Sequence, residues 1–131
     1  MFTVEQIRLA HEKVKSGADF PKYIQEIKEM GVTVFETWVN DSHTDYFGKN
    51  NYQTKSKSQY DELTISANSD KEKFSAYLKA HQQGKTDYYA FCKDCAETGV
   101  SKWVVNLDAM TCIYYDKSGN EILVEQIPQS T

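Results

Sequence analysis

The chain has 131 residues, 40% of them hydrophobic and 26% charged, with only two prolines, which is the make-up of one globular domain with a single core. Its net charge is −4 and its lysines are scattered among carboxylates, so there is no basic stripe to follow a phosphate backbone, and nucleic acid is not an expected partner. No apolar run approaches the roughly 20 residues that span a bilayer, Met1 to Lys15 alternates charged and apolar residues instead of forming a signal-peptide core, and three cysteines without an export signal read as reduced thiols. The expectation is a cytoplasmic protein with no membrane partner.

In chain order, Thr3 followed by Gln6 is a capping-box pattern, and Val4, Ile7, His11 and Val14 recur at helical spacing until Ser16-Gly17. This predicts a first helix over 4–15. Asp19 is the expected cap of a second helix, with Pro21 tolerated in the first turn, Phe20, Tyr23, Ile24 and Ile27 on one face, and Gly31 beyond its end. Val32 to Val39 has the β-branched and aromatic content of a strand, Asn40 to His43 reads as a turn, and Thr44 to Phe47 returns as a hairpin. Between Gly48 and Ser69 the pattern weakens, with one strand expected around Glu62 to Ser66. Ser69 with Glu72 is a second capping box for a helix carrying Phe74, Tyr77, Leu78 and His81 up to Gly84. Thr86 or Asp87 then caps a helix from Tyr88 to Thr98, which Gly99 ends. Val100 to Asp108, Thr111 to Asp116 and Glu121 to Ile127 alternate as a three-stranded meander.

Helix, helix and strands thus occur twice, and landmarks of one kind recur 68 positions apart. Asp19 matches Asp87, Tyr23 matches Phe91, Gly31 matches Gly99, Phe35 matches Trp103, and Tyr46 matches Tyr114. Two readings stand side by side: an internal duplication, or the common appearance of any capped helix that ends in glycine and enters a strand. The duplication would place Phe35 and Trp103 in the core on the same side of the sheet relative to their helices.

The stretches SGADFPKYIQEIKEMGV, DYFGKNNY and TDYYAFCKDCAETGVSKWVV, with YYDKSGNE near the end, resemble the YbcV-like domain of unknown function, a family often labelled "phage envelope protein". The resemblance spans nearly all of residues 1–128. It implies no reaction and no catalytic residues, so none is carried onto this sequence. The envelope label has no physical support here, since neither a membrane segment nor a secretion signal is expected from these residues.

Cys92 and Cys95 have the spacing of a redox or metal motif, and with Cys112 and a histidine they would make four zinc ligands. Against this, Tyr88, Phe91, Cys92, Cys95 and Ala96 fall on one apolar helix face, where free cysteine behaves as a small hydrophobe. Core packing is the preferred reading, and no metal or cofactor is expected. His11 and His81 hold matching places, which suggests a paired site near a twofold axis; packing near a helix carboxyl end accounts for them as well. Asp41, His43 and Asp45, followed by Tyr46 and Tyr52, make the densest polar and aromatic patch. A carboxylate that orients a histidine begins general acid–base chemistry, yet no nucleophile motif accompanies it, and turn residues explain Asn40 to Asp45 equally well.

The expected fold is α+β, a two-layer sandwich of helices on one face of an antiparallel sheet. The expected function is a non-enzymatic binding or interaction domain. Nine tyrosines and two tryptophans suit an interface, so a homodimer is anticipated, with a further protein or small-molecule partner left open. The alternative is a small enzyme or small-molecule binder built on Asp41, His43 and Tyr46, with Lys55 to Ser58 as a lid.

Overall fold

A computed structural model describes residues 2–14 and 19–127. The first helix, α1 (Val4–His11), starts at the expected capping box: the Thr3 hydroxyl accepts from Gln6 N at 3.2 Å, and the Gln6 side chain accepts from Thr3 N at 2.9 Å. It closes earlier than its apolar spacing predicts. The next amides bond three residues back, Lys13 N to Ala10 O and Val14 N to His11 O, which tightens the last turn out of α geometry. The expected stop at Ser16-Gly17 lies outside the described residues.

Helix α2 (Phe20–Met30) ends at Gly31, whose φ of 112° reverses the chain into β1 (Val32–Trp38). Asp19 holds the position before α2 but does not cap it: its own backbone is already helical, at φ −87° and ψ −12°. A capping side chain requires an extended backbone there. A hairpin turn leads to β2 (Thr44–Gly48), a short 3-10 turn follows at Lys49–Asn51, and β3 (Gln53–Lys55) forms the edge. The strand expected at Glu62 to Ser66 is absent. That segment is a linker pinned by Leu63 N to Asn40 O and Ser66 N to Ala96 O, and its apolar residues serve as anchors, Ile65 buried and Leu63 half-buried against the core.

Helix α3 (Lys71–Gln82) is capped by Asp70, which accepts from Lys73 N at 3.0 Å, so the expected Ser69–Glu72 box is one residue off. Helix α4 (Tyr88–Glu97) is capped by Asp87, which accepts from Ala90 N at 2.8 Å. Beyond Gly99 the meander forms as β4 (Lys102–Asn106), β5 (Thr111–Tyr115) and β6 (Glu121–Gln126).

Among the described residues six strands make one antiparallel sheet in the order β3-β2-β1-β4-β5-β6. Paired residues share a face, so the registers Phe35 with Tyr46 and with Val105, Thr37 with Thr44 and with Trp103, and Tyr114 with Trp103 define one side. On that side lies a single core, to which the helices contribute Ile7, Tyr23, Ile24, Ile27, Phe74, Leu78, Phe91 and Cys95. Each such aliphatic or aromatic side chain contributes about 1.5–3 kcal/mol on burial. Phe35 is buried, and Trp103 is half-buried with its ring 5.9 Å from Phe91. Among the described residues no helix packs on the other side of the sheet.

Candidate functional site

The β1–β2 turn builds the site. Ser42 takes a left-handed φ of 62°, and the turn closes through Ser42 N to Trp38 O at 2.8 Å and Trp38 N to His43 O at 3.0 Å. Asp41 then accepts twice on Oδ1, from the His43 amide at 3.0 Å and from His43 Nδ1 at 2.6 Å. A carboxylate oxygen only accepts, so His43 Nδ1 donates the proton of this bond. Burial pushes the Asp41 carboxyl up, but the backbone and ring hydrogen bonds from His43 outweigh it and hold the group below the usual carboxylate range.

Two further contacts fix the ring. Trp38 stacks on His43 with centroids 6.2 Å apart and planes 13° from parallel, and its indole Nε1 donates to Asp45 Oδ2 at 3.2 Å. The same Asp45 oxygen lies 3.9 Å from His43 Nε2. Across the β2–β3 ladder Asp45 pairs with Lys55. His43, Asp45, Gln53, Thr54 and Lys55 together line a cavity of about 480 Å³, within the size range of small-molecule sites.

Asp41, His43 and Asp45 are therefore brought together, and Tyr46 and Tyr52 are not. Strand alternation turns Tyr46 away from its neighbour Asp45 and into the core, where its ring lies 5.8 Å from Phe35. Tyr52 packs edge-on against Phe2 and donates its hydroxyl to Phe2 O at 2.6 Å. The reading of Lys55 to Ser58 as a lid also changes. Lys55 belongs to β3, Ser56 exchanges bonds with the Thr44 backbone in both directions at 2.9 Å, and Gln59 N bonds Asp41 O at 2.7 Å. Trp38, Gln53 and Thr54 were not singled out in the sequence, although the period of two that sends Tyr46 inward puts Trp38 and Asp45 on the outer face.

The three cysteines are free and buried. Burial pushes the Cys92 and Cys95 thiols up and Cys112 up to about 12, which keeps them protonated and unreactive. Among the described residues no three His, Cys, Asp or Glu side chains gather to hold a metal. His11 and His81 each pack on a ring of their own half, His11 edge-on to Tyr23 and His81 stacked on Phe91 with centroids 4.5 Å apart. Burial pushes His11 below the usual imidazole range.

The profile of the family described as "Protein of unknown function (DUF1398)" matches residues 8–126. The chain belongs to that family. The DUF1398 match takes in the sheet, helices α2 to α4 and every residue lining the cavity. The family description supplies no activity, and neither the YbcV name nor the envelope label comes with it. No curated protein matches the DUF1398 chain. Among its described residues no helix is long and apolar enough to cross a membrane.

Proposed function

We propose that this DUF1398 domain is a non-enzymatic binding protein that holds a small polar ligand at the corner formed by His43, Asp45 and Lys55. The observation that carries the reading is the 2.6 Å bond from His43 Nδ1 to Asp41, which holds the His43 ring in one orientation at the edge of the cavity. Lys55 supplies a cationic donor and Asp45 an acceptor, so the fitting ligand carries both an anionic group and a donor, as a small zwitterion does. Among the described residues no hydroxyl or thiol is hydrogen-bonded to His43, which favours binding over nucleophilic catalysis. A screen of small zwitterions by amide chemical-shift mapping tests this. Shifts centred on Trp38, His43 and Lys55, abolished by His43→Ala, are expected; shifts that survive His43→Ala would sink the reading.

The second reading is a general base, favoured by the same Asp41–His43 bond. Turnover of a bound ligand by the wild type, lost in both His43→Ala and Asp41→Asn, would select it.

We also read the protein as cytoplasmic, as a homodimer, and as a duplication of one helix-helix-strands unit. Three free thiols support the first. The tyrosine-rich composition supports the second. Supporting the third, residues 68 positions apart take like roles: Ser42 and Met110 have φ of 62° and 56°, Gly31 and Gly99 have φ of 112° and 88°, and Glu36 pairs across the sheet with Val104.

A further inference from the structure

The bare face of the sheet is divided in two. Along its middle row the cross-strand neighbours are Lys55, Asp45 and Glu36 on β3, β2 and β1, then Val104, Ile113 and Val124 on β4, β5 and β6. The first three are charged and suit water, and two of them, Lys55 and Asp45, belong to the ligand corner. The last three form an apolar strip that no helix among the described residues covers, and Val124 is 54% exposed. An antiparallel sheet facing solvent ordinarily alternates polar residues onto that side, so an uncovered strip of this kind marks a contact surface.

We propose that a second copy of this chain covers the β4–β6 half of the sheet, with the twofold axis running along β5. This rests on the homodimer reading above and gives it a location. Rotation about β5 sets β4 against β6 of the partner copy. Ile113 then meets its own counterpart, and Val104 of each copy meets Val124 of the other. In the next row Lys102 pairs with Tyr115, and past an irregularity between Tyr114 and Tyr115, where β6 gains one residue, Tyr115 pairs with Glu121, so the same rotation places each Lys102 opposite a Glu121. The charge match is what commits the face to its own copy, because an isologous contact repeats every pair twice.

Lys102 is already held in place for this. Its Nζ lies 4.8 Å from the Trp38 ring centre, 5.4 Å from that of Tyr115, and 3.3 Å from Glu36 Oε1. Among the described residues Glu121 has no ion-pair partner. Three strands at about 4.8 Å spacing and five residues at about 3.3 Å each give a flat contact of roughly 14 Å by 17 Å. That is roughly 240 Å² from each copy, well below what a stable specific dimer buries, so the contact is weak and forms only at high protein concentration. The corner at His43 stays open in this arrangement.

Sedimentation velocity over a range from about 10 μM to 1 mM is the test, with far-UV circular dichroism as the folding control. The wild type should dimerise, and Lys102→Glu and Glu121→Lys should each weaken self-association at least tenfold, since each turns two attractive pairs into two repulsive ones. An equimolar mixture of the two variants should recover a heterodimer. Val124→Glu, on an exposed side chain, should also abolish the dimer without harming the fold. A wild type that stays monomeric to 1 mM overturns both this face and the homodimer. A dimer that survives all three substitutions overturns the face and leaves the homodimer standing.

Discussion

Trp38 and Asp45, on neighbouring strands, are joined by an indole-to-carboxylate hydrogen bond of 3.2 Å, and His43 lies flat against the same indole. One side chain thus positions two of the three polar members of the corner, His43 and Asp45. Trp38→Phe keeps a ring for stacking and deletes the donor. It should lower stability by about 1–2 kcal/mol, as expected for a part-buried bond to a charged group. In a urea double-mutant cycle with Asp45→Asn, a coupling indistinguishable from zero would show that the bond holds nothing.

Gly99 separates steric from conformational constraint. A Cβ there would lie 2.7 Å from Ser69 Cα and 2.8 Å from Asn68 O, both backbone, at a φ of 88°. Gly119 has a similar φ of 86° with nothing within 4 Å. Gly119→Ala should therefore cost about 1–2 kcal/mol, the conformational part alone, and Gly99→Ala clearly more, because the linker before α3 must move. Equal losses in thermal unfolding would contradict the close approach.

Acid should act through Asp41. Its folded pKa is depressed, because the His43 hydrogen bonds outweigh burial, so its contribution is fully present above the unfolded value of about 3.9. It is lost as pH falls through the lower folded value. Asp116, held below the usual range by the Asn120 amide and its neighbours in the β5–β6 turn, acts with the same sign. Urea midpoints from pH 7 to pH 2 should fall below about pH 4 in the wild type, and less steeply in Asp41→Asn, which starts out less stable. An unchanged slope in Asp41→Asn would remove Asp41 from this role.

The cysteines should behave as packing atoms. Cys92 and Cys95 are fully buried on α4 and Cys112 nearly so on β5, and their raised pKa values keep the thiolate scarce. A disulfide reagent at pH 8 should label none of them in the native state and all three in denaturant. Cys95→Ala should cost about 1 kcal/mol or somewhat more through the cavity it leaves. Rapid labelling of the native protein would contradict their burial.

Periodicity and local end signals sufficed for the α+β class, all four helices, five of the six strands and the meander, because each of those rests on neighbours within one or two turns of chain. Thr3, Asp87 and Gly31 act on backbone groups a few residues away, so their roles are written locally. The order of strands was not, because it depends on β1 pairing with β4 across a long stretch of chain, as Phe35 pairs with Val105 and Thr37 with Trp103. Nor was the fate of Glu62 to Ser66, where apolar content alone does not distinguish a ladder strand from an anchored linker. At the corner, the turn sequence fixed the Asp41–His43 bond, two positions apart. Lys55 joined it only because β3 pairs beside β2, and Tyr46 and Tyr52 left it because the sheet has a buried side. Which side is buried is decided by where the helices pack, and only the assembled core sets that.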